Sequence, residues 1–235
     1  MTASLPVAFS VADELARAGG RVVVLSSGDS DAGSRDAPLA FLPCRFESEE
    51  EVARAVAEAE GLLGGIDQFV HAWVADGLVE PMSFADIDER TWTSRCEATL
   101  EGAWWLTRQT IGPLRRAGGG SIVFMVPTVG MSGAAEFTML ATVSEGIRVL
   151  ARGCARHWGK DRVTVHTVVT APDHWVPPGW GEPLAASISL AVPAMGGPGD
   201  VGHDLAPIAA LLGAPELHFW TAGTLVADGG VWMGL

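Results

Sequence analysis

Short runs of β-branched and apolar residues recur along the chain, and longer segments with helical periodicity separate them. Strands separated by about ten or more helical residues pair in parallel, because the chain must cross the sheet before it forms the next strand. The pattern therefore predicts one α/β domain over residues 1–235, built on a doubly wound parallel sheet with helices on both faces. The predicted strands are Arg21–Ser26, Ala40–Cys44, Ile66–Trp73, Ser121–Val126, Arg162–Val169 and Thr224–Ala227.

The segments between these runs carry the signs of amphipathic helices. Ser48 and Glu51 form a capping-box pattern, in which each side chain would bind the other residue's backbone N–H. Long helices are expected within residues 84–116 and over residues 142–158, where apolar residues recur every three or four positions. Residues 173–200 are rich in proline and glycine, which is typical either of a lid over a ligand or of an irregular packed insertion.

Charge and cysteine content exclude several classes of function. The formal net charge is −13, which repels phosphate backbones and anionic lipid heads and argues against nucleic-acid and membrane partners. No apolar run approaches the roughly 18 residues of a membrane span. Three widely spaced cysteines, Cys44, Cys96 and Cys154, favour free thiols in a reducing compartment over a disulfide framework or a zinc site. We therefore expect a cytoplasmic protein without a metal ion.

Four segments together resemble the short-chain dehydrogenase/reductase family, and the resemblance covers nearly the whole chain. "IDQFVHAWV" lies where that family has Asp-x-Leu-Val-Asn-Asn-Ala-Gly, and "GSIVFMVPTVG" lies where it has Gly-x-Ile-Val-Asn-Ile-Ser-Ser-x-x-Gly. "GGPGDVG" and "FWTAGTLVADGG" resemble its closing Pro-Glu-Asp-Val and Thr-Gly-x-x-x-x-Val-Asp-Gly-Gly. The resemblance implies a Rossmann-like sheet, a nicotinamide cofactor, and a catalytic set of asparagine, serine, tyrosine and lysine.

The catalytic set that the resemblance implies is missing from this sequence. The asparagine position falls on Thr99, the serine on Thr128, the tyrosine on Ala141 and the lysine on Glu145. The chain has no tyrosine, and its one lysine lies beyond this helix, so shifting the alignment does not restore the set. A threonine hydroxyl can hold a carbonyl oxygen, but nothing beside Thr128 supplies a proton at a useful pKa.

The glycine-rich cofactor loop that the resemblance implies is also degenerate. Aligned without gaps, its three glycines become Thr2, Pro6 and Ala8, and proline has no N–H to donate to a phosphate. In this alignment the first strand lies before Met1, and its loss would leave a gap of roughly 10 Å in the sheet centre. Ser26 stands where an acidic residue would take the ribose hydroxyls. We therefore expect no NAD(P) cofactor.

A second alignment of the amino terminus is the one that the sequence favours. In it, Leu5–Phe9 forms the first strand, Ser10 caps a shortened helix over Val11–Ala18, and the glycine loop is deleted. Both alignments remove the phosphate site and leave an amino-terminally shortened domain.

Other residues near the expected ligand-binding edge of the sheet could form a different site. His71 could act as a base, or it could be a structural histidine bonded to the backbone. Trp73 and Trp175 could line an apolar pocket together with Thr128, or they could fill the volume that a missing dinucleotide leaves.

These observations support three functional hypotheses. The first is a catalytically inactive subunit, a structural or regulatory partner of an active paralogue in a hetero-oligomer. Helices within 84–116 and 142–158 keep apolar stripes and, with the C-terminal strand, would form the dimer-of-dimers tetramer that the resemblance implies. The second is a non-redox enzyme (a cyclase, dehydratase or isomerase) that acts on an apolar or aromatic small molecule without NAD(P). The third is a ligand-binding or scaffold protein without catalysis.

Overall fold

A parallel seven-stranded sheet forms the centre of the protein, in the order β3-β2-β1-β4-β5-β6-β7. The structure is a computed structural model that describes residues 2–3, 6–27, 39–176 and 193–234. The predicted α/β fold with a parallel sheet is confirmed. The strands are β1 (Thr2–Ala3), β2 (Val22–Ser26), β3 (Leu39–Pro43), β4 (Gln68–Ala72), β5 (Gly120–Pro127), β6 (Val163–Thr170) and β7 (Thr224–Ala227).

Helices cover both faces of the sheet. They are α1 (Pro6–Arg17), α2 (Glu49–Leu63), α3 (Glu89–Trp92), α4 (Ala98–Arg116), α5 (Val129–Ser132), α6 (Thr138–Trp158) and α7 (Ala206–Leu212). On one face α1 contacts α7, and on the other α4 contacts both α2 and α6. Within the described ranges, no helix has the length and apolarity that crossing a membrane requires.

The amino terminus contradicts the alignment that the sequence favoured. Residues 6–9 of the expected strand belong to α1, and Ser10 lies inside this helix rather than at its cap, while Leu5 lies outside the described residues. The expected helix over Val11–Ala18 is therefore also wrong, since α1 runs from Pro6 to Arg17. The physical reason is helical spacing of the buried side chains, helped by a proline at the first helical position, where its missing N–H costs nothing. The buried residues of this stripe are Val7, Ala8, Val11, Ala12 and Ala16.

Two other helix starts differ from their expected form. Ser48 accepts a hydrogen bond from the Glu51 N–H, as the capping box requires. The Glu51 carboxylate, however, does not reach back to Ser48, because it binds the Arg45 guanidinium at 2.5 Å. The expected helix over 142–158 begins one turn earlier, at Thr138, which places Ala141 inside α6.

The expected lid over residues 173–200 falls mostly outside the described part of the chain. Residues 177–192 are not described, and the segment before them makes a short helical turn over Pro172–His174. Trp175, directly after this turn, is buried. The structure therefore supports packing at the start of this segment and leaves the lid itself untested.

The core is most complete around β5 and β6. These strands pair over eight consecutive positions, and every residue of β6 is buried. Cys44, Cys96 and Cys154 are free and buried within this core and its surroundings. Burial raises the pKa of Cys44 to about 12 and those of Cys96 and Cys154 to about 11, so all three remain thiols at neutral pH.

Candidate active site and its degenerate cofactor edge

The carboxyl ends of the central strands form the edge at which a doubly wound sheet binds its ligands. A nucleotide phosphate at this edge would need free N–H groups at the start of the helix after β1. Here α1 begins with Pro6, which has no N–H, and the next two residues, Val7 and Ala8, are completely buried. The residues at the start of α1 therefore do not fit the pyrophosphate of a dinucleotide.

Within the described residues, β2 ends in serines and not in a carboxylate that could bind a ribose. Ser26 is buried between Ala3 on one side and Pro43 on the other, and its carbonyl oxygen accepts a hydrogen bond from the Cys44 N–H at 2.9 Å. Residues 28–38, which follow β2, lie outside the described residues. The position that the resemblance assigns to ribose recognition is thus part of the sheet interior.

Large side chains fill the space at the end of β4. Trp73 is buried and packs against Phe46, with ring centroids 4.7 Å apart. Gly102 of α4 allows this approach, because a Cβ atom there would lie 2.6 Å from the indole ring. Trp73 and the buried Val74 stand where the resemblance places alanine and glycine. This packing favours the volume-filling interpretation of Trp73 over a ligand-lining role.

His71 is buried beneath this edge and is not set up as a base. Its ring lies 5.5 Å from that of Phe124 and 6.4 Å from that of Phe69, measured between centroids. Within the described residues, neither ring nitrogen has a hydrogen-bond partner, so the backbone-bonded interpretation is not found either. Desolvation lowers the pKa of His71 to about 3. So weak a base takes up protons poorly near neutral pH.

The hydroxyl of Thr128, which was expected to face a substrate carbonyl, is engaged inside the protein. Its Oγ1 lies 2.9 Å from the Thr170 carbonyl oxygen and 3.0 Å from Oδ2 of Asp228, both of them acceptors. Trp175 joins the same network, because its indole N–H donates to Oγ1 of Thr170 at 2.8 Å. The structure therefore brings Thr128 and Trp175 together through Thr170, in a buried network rather than around an open site.

Asp228 is the central residue of this network and is not among the residues predicted for the site. Its carboxylate is buried and accepts hydrogen bonds from the N–H groups of Gly230, Val231 and Trp232 at 2.9–3.1 Å, besides contacting Thr128. It thereby fastens the C-terminal segment to the end of β5. The "VADGG" segment, which resembles the closing Val-Asp-Gly-Gly motif, was the available signal for it.

The α6 positions that the resemblance assigns to tyrosine and lysine carry neither a phenol nor an amine. Ala141 is partly exposed, and Glu145 forms an ion pair with Arg148 at 2.6 Å. One residue earlier in the helix, Leu140 and Ser144 are buried, and the Ser144 hydroxyl donates to the Leu140 carbonyl at 2.7 Å. In either helical register, the site contains neither a phenol nor an amine.

Thr99, at the position assigned to asparagine, forms hydrogen bonds with two backbone groups. Its Oγ1 accepts a hydrogen bond from the Ala75 N–H at 2.9 Å and donates one to the Arg95 carbonyl at 2.6 Å. This pair of bonds ties the loop after β4 to the helical region that leads into α4. The threonine is thus a structural bridge between two elements of the edge.

An open cavity of about 230 Å³ lies away from these candidates, between β2, β4 and α2. None of His71, Trp73, Thr128 or Trp175 lines it. Among the described residues, no group of three or more His, Cys, Asp or Glu side chains is placed to hold a metal ion. The residues predicted for an alternative pocket therefore form packed interior, and the cavity belongs to a different part of the sheet.

Comparison with known proteins gives a consistent family relationship. Over residues 4–232 the chain matches the family described as enoyl-(acyl carrier protein) reductase. It is 25% identical over 240 residues to 3-oxoacyl-[acyl-carrier-protein] reductase FabG of Vibrio cholerae, covering 98% of this chain and 95% of that protein. It is 27% identical to a 12alpha-hydroxysteroid dehydrogenase of a Clostridium species, covering 79% of this chain and 71% of that protein.

Solved structures show the same fold. A short-chain type dehydrogenase/reductase from Mycobacterium ulcerans superposes with a TM-score of 0.80 at 20% identity, covering 98% of this chain and 87% of that one. The TT0495 protein from Thermus thermophilus superposes with a TM-score of 0.81 at 21% identity, covering 98% and 96% of the two chains. At these identities the likeness concerns the fold alone.

Proposed function

We propose that this chain, which belongs to the short-chain dehydrogenase/reductase family, is a catalytically inactive subunit that associates with an active member of that family. The observation that carries the proposal is the composition of the catalytic segment. The chain contains no tyrosine, although β5 and α6, the elements that would carry the catalytic serine, tyrosine and lysine, are both formed. A scaffold that keeps these elements without the tyrosine is suited to stabilise or regulate a partner subunit and not to catalyse the reaction itself.

The carboxyl ends of the central strands, where the family's cofactor would bind, provide a second argument for an inactive subunit. A nicotinamide dinucleotide would supply the hydride in this family, but among the described residues the buried start of α1, Ser26 and the ring of Trp73 do not fit it. The engaged hydroxyl of Thr128 adds none of the missing chemistry. The hypothesis of a non-redox enzyme has no comparable support, because its candidate residues are packed into the interior.

The surfaces assigned to assembly expose large apolar side chains. Trp104 on α4 is 49% exposed and Val149 on α6 is 60% exposed. Around β7, the sheet's edge strand, Phe219 is 95% exposed, and Trp220 and Val226 are each 40% exposed. Aromatic and aliphatic groups this open to water are typical of surfaces that a partner covers.

Several relatives are named as dehydrogenases or reductases, so the proposal predicts a clear difference in activity from them. The test is co-expression with a tyrosine-bearing family member from the same organism, followed by size-exclusion chromatography with light scattering and a carbonyl-reduction assay. We expect a mixed oligomer, all of whose reductase activity disappears when the partner's tyrosine is replaced by phenylalanine. A chain that forms only homo-oligomers and reduces a carbonyl substrate with NAD(P)H would contradict the proposal.

Interface variants locate the contact. Trp104→Glu and Phe219→Glu should each weaken the mixed oligomer at least about tenfold, because each places a charge in an apolar contact. Ala57→Glu, on the exposed side of α2, a helix not assigned to assembly, is the matched control and should assemble normally. Equal behaviour of all three variants would show that these surfaces are not the interface.

A further inference from the structure

One buried histidine outside the predicted site lies near the edge of the sheet. His166 belongs to β6 and is completely buried. Among the described residues, neither nitrogen of its imidazole has a hydrogen-bond partner, and its neighbour in register on β5 is the apolar Val123. Because a charged imidazolium needs water or an acceptor, these surroundings favour the neutral ring.

The indole ring of Trp220 covers one side of this imidazole. The two ring centroids lie 4.9 Å apart, and the ring planes are tilted by 58°. Gly223 makes room for the indole, because a Cβ atom there would lie 2.7 Å from the ring. Trp220 is itself 40% exposed, so a movement of this ring would bring water to His166.

The segment that carries Trp220, residues 218–223, is held to β6 by few bonds. Three hydrogen bonds connect the two: Ala222 N–H to the Val165 carbonyl at 2.8 Å, Thr167 N–H to the Gly223 carbonyl at 2.9 Å, and Val165 N–H to Oγ1 of Thr221 at 3.0 Å. Ala222 has a φ of 61°, a left-handed conformation that costs energy in any residue with a Cβ atom. A segment with few bonds and a strained residue opens more readily than the strands beside it.

The ionisable groups near His166 are few. β5 and β7, which pair with β6, and α7, which contacts β5, carry no ionisable side chain. The connection from α7 to β7 carries Glu216 and His218, which are both exposed, and Nδ1 of His218 lies 2.9 Å from the Pro215 carbonyl oxygen. Burial lowers the pKa of His166, and a polar contact with the Trp220 backbone opposes this effect in part. The neutral imidazole is therefore the form that fits the closed segment.

We propose that His166 and Trp220 form an acid-sensitive latch, in which protonation of His166 releases residues 218–223 from the sheet. In the released segment the imidazole meets water, so its pKa returns toward the ordinary value of 6.5, and release is favoured as the pH falls below that value. Release would also move the exposed Phe219, which belongs to a surface proposed for assembly. The latch is a property of the single chain and does not depend on a partner.

The test is amide hydrogen exchange of the isolated chain at pH 7 and pH 5, corrected for the intrinsic effect of pH on exchange. At pH 5 the opening of the segment should increase between about fivefold and 30-fold, measured at the N–H groups of Val165, Thr167 and Ala222. These groups should exchange faster than those of residues 122–125 at both pH values, which marks a local and not a global opening.

Two variants assign the effect to one histidine. His166→Phe keeps a ring beneath Trp220 without a titratable nitrogen and should abolish the increase at pH 5. His218→Gln, the matched change at the histidine within the segment, should preserve it. Equal exchange at pH 7 and pH 5 in the native chain would overturn the proposal, whatever the folding of the variants. The same increase in His166→Phe, or its loss in His218→Gln, would overturn it as well.

Discussion

The two halves of the sheet differ in how completely they are built. On the carboxyl side, β5 and β6 pair over eight positions, and Asp228 joins the C-terminal segment, through three N–H groups of that segment, to Thr128 at the end of β5. On the amino side, β1 contributes two residues, and a cavity lies beside it. The positions that the resemblance assigns to the dinucleotide, at the start of α1 and the end of β2, belong to the amino half. The comparison shows that strand pairing extends much further in the carboxyl half of the sheet than at β1 in the amino half.

The largest expected effect tests the well-built half. Asp228→Ala removes a buried acceptor that serves one buried and two partly buried N–H groups, which should lower the free energy of unfolding by about 4 kcal/mol. Urea denaturation followed by tryptophan fluorescence measures this change. Thr128→Val, which removes the hydroxyl and its contacts with Thr170 and Asp228, should cost about 1 to 2 kcal/mol. A cost below about 1 kcal/mol for Asp228→Ala would show that the carboxyl half does not depend on this network.

The next effect concerns the tryptophan that fills the cofactor edge. Trp73→Ala should cost about 3 kcal/mol, since it leaves a cavity beside Phe46 and Gly102. Trp73→Phe should cost less than about 1.5 kcal/mol, because it keeps the aromatic packing and removes an indole N–H that has no partner among the described residues. Thermal unfolding of Trp73→Ala and Trp73→Phe measures the two losses of stability. Equal losses would mean that the ring volume is not what matters at this edge.

The pH dependence of the free energy of unfolding tests the burial of His71 on β4. Burial lowers its pKa to about 3 in the folded protein, against an ordinary value of 6.5, so the unfolded chain binds the proton first as the pH falls. Its contribution to stability is therefore complete above pH 6.5 and is lost as the pH falls from there toward 3. At about pH 5 the loss amounts to about 2 kcal/mol.

The measurement is urea unfolding of the native chain and of His71→Phe at pH 7 and pH 5. Burial also lowers the pKa of His166, which adds a loss of the same sign to both proteins, so the difference between them isolates His71. The phenylalanine variant should lose about 2 kcal/mol less on acidification. An identical loss in both proteins would show that His71 is already protonated or exposed when folded.

The smallest expected effect on stability comes from the exposed surface near β7. Phe219→Ser should change the free energy of unfolding by less than about 0.5 kcal/mol, because the side chain is almost fully exposed in the single chain. The same change should weaken assembly with the active partner. A loss of several kcal/mol in the isolated chain would place Phe219 in the core and remove it from the proposed interface.

The sequence predicted the carboxyl half of the sheet well, because its apolar runs are long and β-branched. β7 was predicted at its observed bounds, and β6 was placed within one residue. The amino terminus was predicted wrongly, because "LPVAF" is a short apolar run, and periodicity over so few residues does not separate a strand from a helix. Val11 and Ala12 continue the apolar stripe with helical spacing. Because both are buried in the folded protein, the segment forms a helix and not a strand.

The candidate site was less accessible to sequence reasoning. The missing tyrosine could be read directly from the composition. The partners of Thr128 could not, since Thr170 and Asp228 lie 42 and 100 residues away and meet it only in the folded sheet. The burial of His71 and Trp73 likewise depends on rings from β5 and from the segment after β3. Their roles as packed interior therefore required the tertiary structure.

The most direct test of the central claim, that this family scaffold has lost its cofactor site and its proton donor, is calorimetric titration of the isolated chain with NAD⁺, NADH, NADP⁺ and NADPH. Cofactor affinities in working enzymes fall in roughly the micromolar to millimolar range. We predict no saturable heat for any of the four up to about 1 mM. A saturable isotherm in the micromolar range for any one of them would contradict the claim.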